Sequence, residues 1–298
     1  MLVLVAPGQG AQTPGFLAPW LDVPGFKDQL AAWSDVAGLD LIAYGTTADA
    51  DEIRDTAVAQ PLLVAAAMAS AKALGIVPDV LAGHSVGELA TAALAGVITP
   101  EQAMALVRER AQAMARAAAV TQTGMTAVLG GDEAEVLAAI DKHGLTPANI
   151  NGAGQIVAGG TLPQLAAFQE EPPTRARLRP LAVAGAFHTE HMAPAVTALG
   201  AAAAAITPSD PEVTLLSNAD GQVVTTGPEL VRRLVAQVSA PVRWDSCMAT
   251  MAGLGVTKMI ELLPGGTLTG LAKRGLRGVA TVALKTPDDL EAARELTK

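Results

Sequence analysis

The sequence predicts an α/β fold in which a second, smaller α/β unit is inserted into a larger one. The first observation is the segment G-H-S-V-G at 83–87, which lies between an apolar run and an Ala/Leu-rich stretch, as a turn between a strand and a helix would. The second is a βαββαβ order over residues 125–183. The third is composition, because 50% of the residues are hydrophobic but only 3% are aromatic, which favours helices packed closely on a sheet. We therefore expect an α/β-hydrolase-like large subdomain that carries a ferredoxin-like small subdomain.

Length, charge and cysteine content limit the classes of partner and the cellular compartment that fit this protein. The 298 residues are enough to bury a large core. A net charge of −9 argues against nucleic acid as a partner, because phosphate binding needs a basic face. The single cysteine, Cys247, fits a reducing cytoplasm and excludes a disulfide framework. No apolar run approaches the roughly 18 residues that cross a bilayer, so we expect no membrane segment.

The first part of the chain begins with a strand over Leu2–Ala6, followed by a loop at residues 7–12 that contains two glycines. Gln60-Pro61 is expected to open a helix that runs to about Leu74. The segment Thr99-Pro100-Glu101-Gln102 is a capping box, which predicts a helix from Pro100 to about Ala118.

The pattern of predicted elements changes at Met125. We expect the inserted subdomain to occupy residues 125–189 and the large subdomain to occupy residues 1–124 and 190–298. A ligand cleft should lie between the two. The strands and helices predicted for the insert are Met125–Leu129, Asp132–Lys142, Ala148–Asn151, Gln155–Ala158, Leu162–Glu170 and Ala176–Val183. Beyond it we predict helices to about Ile206, over Glu229–Val238 and after Thr286, with strands over Val213–Ser217, Gln222–Val224, Lys258–Leu262 and Val279–Leu284.

Ser85 occupies the centre of the G-x-S-x-G pattern, where a sharp turn exposes its hydroxyl at a helix N-terminus. It is therefore a candidate nucleophile. The Val86 N–H is a candidate donor to an oxyanion. The glycine loop at 7–12 is either an ordinary strand-to-helix turn or the source of a second donor, such as the Gln9 amide.

Arg110 lies on the apolar stripe of the helix predicted from Pro100, together with Leu106, Val107 and Met114. A buried guanidinium needs an anionic partner, because an unpaired buried charge costs several kcal/mol. That partner is either an internal carboxylate or the carboxylate of a substrate, which the planar guanidinium can bind in bidentate fashion.

The chain has four histidines, so the candidates for a general base are few. We expect His84, inside the turn, to be structural, and His143, in the last turn of a helix, to act in capping. His188 and His191 both follow the insert and both remain candidates. His188 is modestly preferred because it follows the loop that returns to the large subdomain.

Taken together, these motifs resemble the malonyl-CoA:acyl carrier protein transacylase family, and the free-standing actinobacterial enzymes most closely. The resemblance spans the chain, and one position departs from the family pattern, since Ala111 follows Arg110 where a glycine is usual. The motifs that carry it are, in order, Gly8-Gln9-Gly10-Ala11-Gln12, Gln60-Pro61, Gly83-His84-Ser85-Val86-Gly87-Glu88, Arg110–Met114, Asn149–Gln155, Phe187-His188, Pro241-Val242-Arg243-Trp244, Pro264-Gly265-Gly266 and Leu268-Thr269-Gly270-Leu271.

The resemblance implies a role for each matching residue. Ser85 would be acylated, His188 would be its base, and the main-chain carbonyl of Gln237 would orient the histidine. The amides of Gln9 and Val86 would form the oxyanion hole. The residues implied to bind substrate are Arg110, for the malonyl carboxylate, with Gln60, Met114, Asn149, Asn151 and Phe187 around it.

The family implies transfer of malonyl from malonyl-CoA to the phosphopantetheine thiol of acyl carrier protein, by a cytoplasmic monomer that needs no metal or other cofactor. Two alternatives stay open. One is a serine esterase or thioesterase, although its acid would be expected between the nucleophile and a late histidine. The other is a non-catalytic module that docks carrier proteins. Arg175, Arg177 and Arg179 are expected to alternate along one strand and so to share one face. They either form a basic patch that docks the carrier protein or serve only as edge charges that deter strand-to-strand aggregation.

Overall fold

The computed structural model describes residues 1–298 and contains eleven strands and twelve α-helices. The strands, in chain order, are β1 (Leu2–Ala6), β2 (Val80–Gly83), β3 (Thr123–Gly130), β4 (Thr146–Gly152), β5 (Gln155–Thr161), β6 (Ala176–Pro180), β7 (Thr214–Leu216), β8 (Val223–Val224), β9 (Val242–Arg243), β10 (Lys258–Glu261) and β11 (Ala280–Ala283).

The helices cover most of the remaining chain. They are α1 (Phe26–Ala37), α2 (Leu41–Thr46), α3 (Thr56–Leu74), α4 (Gly87–Leu94), α5 (Pro100–Ala118), α6 (Glu133–Lys142), α7 (Leu162–Glu170), α8 (Ala193–Ala203), α9 (Gly227–Ala236), α10 (Trp244–Gly253), α11 (Thr267–Gly275) and α12 (Asp289–Thr297). The predicted start of α5 is confirmed, since the Thr99 hydroxyl and the Gln102 side chain form a reciprocal capping box.

The larger sheet has the strand order β11-β10-β1-β2-β7-β8 and is parallel except for the β7–β8 pair. Its central strand β1 is buried at every position, as expected of a parallel strand covered by helices on both faces. Chain segments that leave the carboxyl ends of β1 and β2 therefore meet at one edge of the sheet, which is where ligands bind in such folds.

The smaller sheet has the order β6-β3-β5-β4-β9. Its first four strands are antiparallel, with α6 and α7 in the connections, so the predicted ferredoxin-like βαββαβ arrangement is confirmed. The fifth strand was not predicted. It is the two-residue β9, which pairs in parallel with β4 and belongs to the chain beyond the insert. Because β9 has only two residues and lies far from β4 in the sequence, no local residue pattern predicts this pairing.

The prediction that Gln60-Pro61 opens a helix was wrong. Asp55 caps α3 through a hydrogen bond of 2.8 Å from the Ala57 N–H, and Pro61 lies inside the helix. With 19 residues and a mean hydropathy of 1.5, α3 has the length and composition of a membrane span, contrary to the expectation of none. Of its apolar window, 83% is buried inside the protein, as in a central core helix.

Two further predictions need correction. The strand predicted over Ala176–Val183 ends at Pro180, and the three residues after it form a loop. Arg175 lies before this strand with a left-handed backbone (φ 60°), so only Arg177 and Arg179 alternate along it. Both pair with β3, Arg179 opposite Ala127 and Arg177 opposite Leu129.

Candidate active site

The turn between β2 and α4 holds Ser85 in a left-handed conformation (φ 53°), which is unusual and costly for a residue with a side chain. The flanking glycines are required by close packing. A Cβ on Gly83 would lie 2.1 Å from the Gly87 carbonyl carbon, and one on Gly87 would lie 2.4 Å from the Ala6 carbonyl oxygen. The turn therefore fits tightly against β1 and presents the Ser85 hydroxyl at the N-terminus of α4.

His188 is the histidine that the fold brings to this serine. Its Nε2 lies 2.7 Å from Ser85 Oγ, and its Nδ1 lies 2.8 Å from the main-chain carbonyl oxygen of Gln237. Because that carbonyl can only accept, Nδ1 carries the proton and Nε2 is free to accept one from the serine. His191 lies in the short helical turn that follows and does not line the cavity around Ser85.

The environment of His188 favours the neutral imidazole. Burial and, to a smaller extent, the nearby charge of Arg110 lower the pKa of His188 to about 3, against the opposing effect of the Gln237 carbonyl. A neutral imidazole is the form that acts as a general base.

Two main-chain amides beside Ser85 are free to receive an oxyanion. Neither the Val86 N–H nor the Gln9 N–H donates a hydrogen bond within the protein. Val86 begins the helix α4, so the positive end of the helix dipole adds to its N–H. The amide of the residue after Ser85 and that of Gln9, on a loop after β1, are therefore the candidate donors to an oxyanion.

Arg110 lies beneath the serine, is 2% exposed and forms no ion pair within 4.0 Å. The guanidinium donates to two neutral amide oxygens, Gln60 Oε1 at 2.7 Å and Gln237 Oε1 at 2.9 Å. Its Nη2 also lies 3.4 Å from Ser85 Oγ. Burial lowers the pKa of Arg110 to about 10, which leaves it charged at neutral pH. A buried cation without a contacting carboxylate is a candidate site for an anionic ligand.

A cavity of about 250 Å³ opens above the serine, between the two sheets. Arg110, Val86 and Gln237 are not among its lining residues, and Arg110 and Gln237 instead contact Ser85, at Oγ and at its main-chain carbonyl oxygen. Of the predicted site residues, those that line it are Ser85, His188, Gln9, Gln60, Met114, Asn149, Asn151 and Phe187.

His84 connects the two walls of this cavity. Its Nε2 lies 2.9 Å from Asn151 Oδ1 on β4, and its ring packs edge-on against Trp244, with 5.6 Å between ring centres. His84 belongs to the turn that carries Ser85, so the hydrogen bond ties the nucleophile's turn to the smaller sheet.

Two buried polar residues of the site were not predicted. Asn218, after β7, accepts from the Ser85 N–H at 2.7 Å and donates to the Gly83 carbonyl at 2.8 Å, which braces the turn on both sides. Glu88, in the first turn of α4, accepts from the Asn218 N–H at 2.6 Å and from Gln237 Nε2. Burial raises the pKa of Glu88 to about 8, although that hydrogen bond and the Arg110 charge lower it. The position of Glu88 inside the motif was the one available signal.

No group of three or more His, Cys, Asp or Glu side chains is placed to hold a metal ion. These residues can transfer an acyl group, because a serine is paired with a neutral histidine beside two main-chain amides without internal acceptors and a buried cation. The fold and the site together define an acyltransferase.

The comparisons with known proteins agree with this class. Residues 3–291 match the model of the acyl transferase domain family. The malonyl CoA-acyl carrier protein transacylase of Mycobacterium tuberculosis is 53% identical over 302 residues, which cover 99% of this chain and all of that protein. This chain therefore belongs to the malonyl-CoA:acyl carrier protein transacylase family, as the sequence motifs indicated.

Solved structures give the same result. The crystal structure of the Mycobacterium tuberculosis enzyme has a TM-score of 0.95, with 98% of this chain and 99% of that chain covered. A malonyl-transacylase solved in complex with a type II polyketide acyl carrier protein is 30% identical, with a TM-score of 0.92 and 99% of both chains covered.

Proposed function

We propose that this protein transfers the malonyl group of malonyl-CoA to the phosphopantetheine thiol of an acyl carrier protein, through a malonyl ester on Ser85. The product supplies extender units for fatty acid or polyketide synthesis. The observation that carries the proposal is the position of Arg110, whose Nη2 is 3.4 Å from the Ser85 hydroxyl and which has no carboxylate partner of its own. An acyltransferase for uncharged acyl groups would have no use for a buried cation there.

In the first half-reaction, His188 Nε2 takes the Ser85 proton while Oγ attacks the thioester carbonyl carbon. The negative charge that develops on the carbonyl oxygen is stabilised by the N–H groups of Val86 and Gln9. The carbon–sulfur bond then breaks, the malonyl group stays on Oγ, and His188 returns the proton to the departing CoA thiolate. The second half-reaction reverses these steps with the carrier-protein thiol as the nucleophile.

The Nδ1 of His188 is hydrogen-bonded to the main-chain carbonyl oxygen of Gln237, whereas serine hydrolases usually have a carboxylate at this position. A thiol is far more acidic than an amine, so its departure needs less help from a general acid than peptide cleavage does. A carbonyl that fixes the tautomer and orientation of His188 is therefore sufficient. The same geometry counts against the thioesterase alternative. A thioesterase must activate water, and the histidine here would have to do so without a carboxylate behind it.

The carboxylate of a malonyl group is separated from the thioester carbonyl by one methylene. When the carbonyl carbon is at Ser85 Oγ, that carboxylate comes within reach of the Arg110 guanidinium, which can accept it in bidentate geometry. Acetyl-CoA lacks the carboxylate and leaves the buried cation unpaired, with a penalty of about 3–5 kcal/mol.

Incubation with malonyl-CoA followed by intact-mass analysis tests the proposal. We expect one malonyl group on Ser85, lost on addition of holo acyl carrier protein with transfer to its thiol, and no adduct in the Ser85→Ala variant. Rapid release of free malonate would indicate a thioesterase instead. Absence of both adduct and turnover would indicate a docking module.

Several finer points belong to the same proposal. The subdomain boundaries are proposed at 1–124 with 190–298 and at 125–189, supported by β4 to β6 lying within the second range; β3 begins two residues before it, at Thr123. The protein is proposed to be a cytoplasmic monomer that needs no cofactor, since the two half-reactions exchange only an acyl group and a proton. Light scattering after size exclusion checks the oligomeric state.

A further inference from the structure

Glu88 is a buried carboxylate that no step of the proposed transfer uses. It is 2% exposed and lies three residues after the nucleophile, on the first turn of α4. Burying a carboxylate is costly unless hydrogen bonds and nearby cations compensate it, so its presence beside the reacting groups calls for a physical role.

Both oxygens of Glu88 accept hydrogen bonds. Oε1 accepts from the Asn218 main-chain N–H at 2.6 Å, and Oε2 accepts from the side-chain Nε2 of Gln237. An ionised carboxylate satisfies two donors, whereas a protonated acid or a glutamine amide would place a donor opposite one of them. These hydrogen bonds are therefore those of the ionised form, which prevails above the Glu88 pKa of about 8.

The second of these bonds sets the orientation of the Gln237 amide. With Nε2 toward Glu88, the same amide also donates to the Ser85 carbonyl at 3.2 Å, and its Oε1 accepts from Arg110 Nη2 at 2.9 Å. The reversed amide would point its N–H groups at the guanidinium and its oxygen at the carboxylate. Glu88 excludes that arrangement.

The amide also keeps two opposite charges apart. Each charge favours the ionised form of the other, since Arg110 lowers the pKa of Glu88 and Glu88 raises the pKa of Arg110. They do not form a direct ion pair, because the Gln237 amide lies between them. A carboxylate in direct contact would occupy Arg110 and block the anion site, whereas a carboxylate behind an amide stabilises the cation and leaves it available.

We propose that Glu88 is a positioning residue for substrate selection: its carboxylate fixes the Gln237 side-chain amide so that the amide oxygen holds Arg110 ready for the substrate carboxylate. This role rests on the proposed malonyl transfer. It acts on Arg110 through the side chain of Gln237, whereas His188 is held by the main-chain carbonyl of the same residue. Loss of Glu88 should therefore weaken selection of malonyl more than it weakens the acyl-transfer chemistry.

The test is kcat/KM for malonyl-CoA and acetyl-CoA in wild type and Glu88→Gln, at a pH of about 9, where the Glu88 carboxylate is ionised. We expect malonyl transfer to fall by about tenfold or more, mainly through a higher KM, and acetyl transfer to change by less than about threefold. In an Arg110→Ala background, Glu88→Gln should leave the malonyl-to-acetyl ratio unchanged. Parallel losses for both thioesters, or a ratio change that persists without Arg110, would overturn the proposal.

A matched control is Glu261→Gln. Glu261 is also fully buried and accepts from the N–H groups of Gly266, Leu268 and Thr269, without contact to Gln237 or Arg110. Its loss should lower the melting temperature and leave the malonyl-to-acetyl ratio at the wild-type value. A similar change of ratio in both variants would show that the effect is general destabilisation, and would overturn the role of Glu88.

The pH dependence supplies a readout that a purely structural residue would not change. Glu88 faces Arg110 on α5, Arg233 on α9 and Cys247 on α10, and its carboxylate binds a proton as the pH falls through its pKa of about 8. The wild-type malonyl-to-acetyl ratio should fall over that interval, and the ratio of Glu88→Gln should stay flat. The same pH dependence in both proteins would contradict the assignment.

If Glu88→Gln does not fold, Gln237→Met carries the test. It removes the amide between the two charges and keeps the main-chain carbonyl that orients His188, so the same fall in ratio is expected. An unchanged ratio would overturn the proposal.

If wild type transfers no malonyl, the proposed function itself fails, and this role fails with it. If wild type transfers malonyl and the variants lose both activities in parallel, only the role of Glu88 fails.

Discussion

The two walls of the cavity differ in kind. The wall built on the parallel sheet carries Ser85, and the Gln237 and Val238 carbonyls hold His188 against it from the end of the insert. Ser85 and His188 both have left-handed backbones (φ 53° and 61°). The wall built on the antiparallel sheet carries neutral side chains, such as Asn149, Asn151 and Val157. Under the proposed function, the first wall would supply the chemistry, and the second the shape and hydrogen bonding around the substrate.

The first wall is held by a buried polar network, which the second wall does not share. Left-handed conformations cost roughly 1–3 kcal/mol each in residues other than glycine, so their neighbours must hold them in place. Ser85 is held by the Asn218 side chain, and His188 by hydrogen bonds of its main-chain N–H to the Val238 carbonyl and of Nδ1 to the Gln237 carbonyl. Substitutions on the two walls should therefore have effects of different size.

The largest effect is expected for the nucleophile and its base. Ser85→Ala should abolish the acyl-enzyme, because no other oxygen is within reach of His188 Nε2. His188→Ala should lower transfer by about 10²–10⁴-fold through loss of general base catalysis. Single-turnover acylation measured by intact mass checks both. Near-normal rates in His188→Ala together with a loss in His191→Ala would move the base to the other histidine.

Arg110→Ala should give the next largest effect, and it separates charge recognition from chemistry within the same wall. Malonyl kcat/KM should fall by roughly a hundredfold or more, because a charge-assisted bidentate contact is lost. Acetyl transfer should hold steady or rise, since the buried cation is gone. Comparison of kcat/KM for both thioesters decides the matter, and equal losses would make Arg110 a structural residue.

A smaller effect is expected at the edge of the second wall. Arg179, Ala127 and Val157 lie in one row across the smaller sheet, and Val157 lines the cavity, so the exposed Arg177 and Arg179 share the face on which the cleft opens. Carrier proteins of this pathway are typically acidic, and reversal of both arginines to Glu should raise KM for the carrier protein by about three- to tenfold at low salt. Malonyl-enzyme formation should be unchanged.

The matched control reverses Lys27 and Lys72, which gives the same net charge. Lys72 is twelve residues along α3 from Gln60, so it lies roughly 18 Å from the cavity. An equal rise in KM for the control would show that total charge, and not this patch, governs docking. An unaltered KM in the arginine variant would leave Arg177 and Arg179 as edge charges that deter strand pairing.

Asn151→Ala tests the second wall itself. It removes the 2.9 Å hydrogen bond between His84 and Asn151 that joins the two walls. We expect kcat/KM for malonyl-CoA to fall by about two- to tenfold, the size of one neutral hydrogen bond. Steady-state kinetics measure it. A loss as large as that of His188→Ala would mean that the second wall takes part in the chemistry and would remove the distinction drawn here.

The smallest effect concerns protonation. Burial and the Arg110 charge lower the pKa of His188 to about 3, so its imidazole should remain neutral as the pH falls through the ordinary histidine range. Nitrogen-15 NMR of labelled histidine should show no titration of His188 near pH 6.5. In Arg110→Ala its pKa should rise, because a neighbouring positive charge has been removed. Titration of wild-type His188 at its ordinary value would contradict this account of the first wall.

Much of the fold could be read from local sequence. The turn at 83–87, the capping box at Thr99 and the βαββαβ order are short-range patterns, because steric limits on a turn and the hydrogen bonds of a helix end involve residues a few positions apart. The amphipathic stripe likewise located Arg110 on a buried face, which the structure confirms. The start of α3 was missed because Pro61 was taken as a first-turn residue, although Asp55 supplies the cap.

Which groups meet at the site depends on contacts between distant parts of the chain. His188 and Ser85 are 103 residues apart, Asn218 and Ser85 are 133 apart, and Gln237 and Glu88 are 149 apart. Such pairs leave no periodicity or spacing in the sequence, since strand order and the packing of helices on the sheet bring them together. For the same reason, residue patterns gave His188 only a modest preference over His191 and left the partner of Arg110 undecided. Only packing places one histidine at the serine and separates Arg110 from Glu88 by an amide.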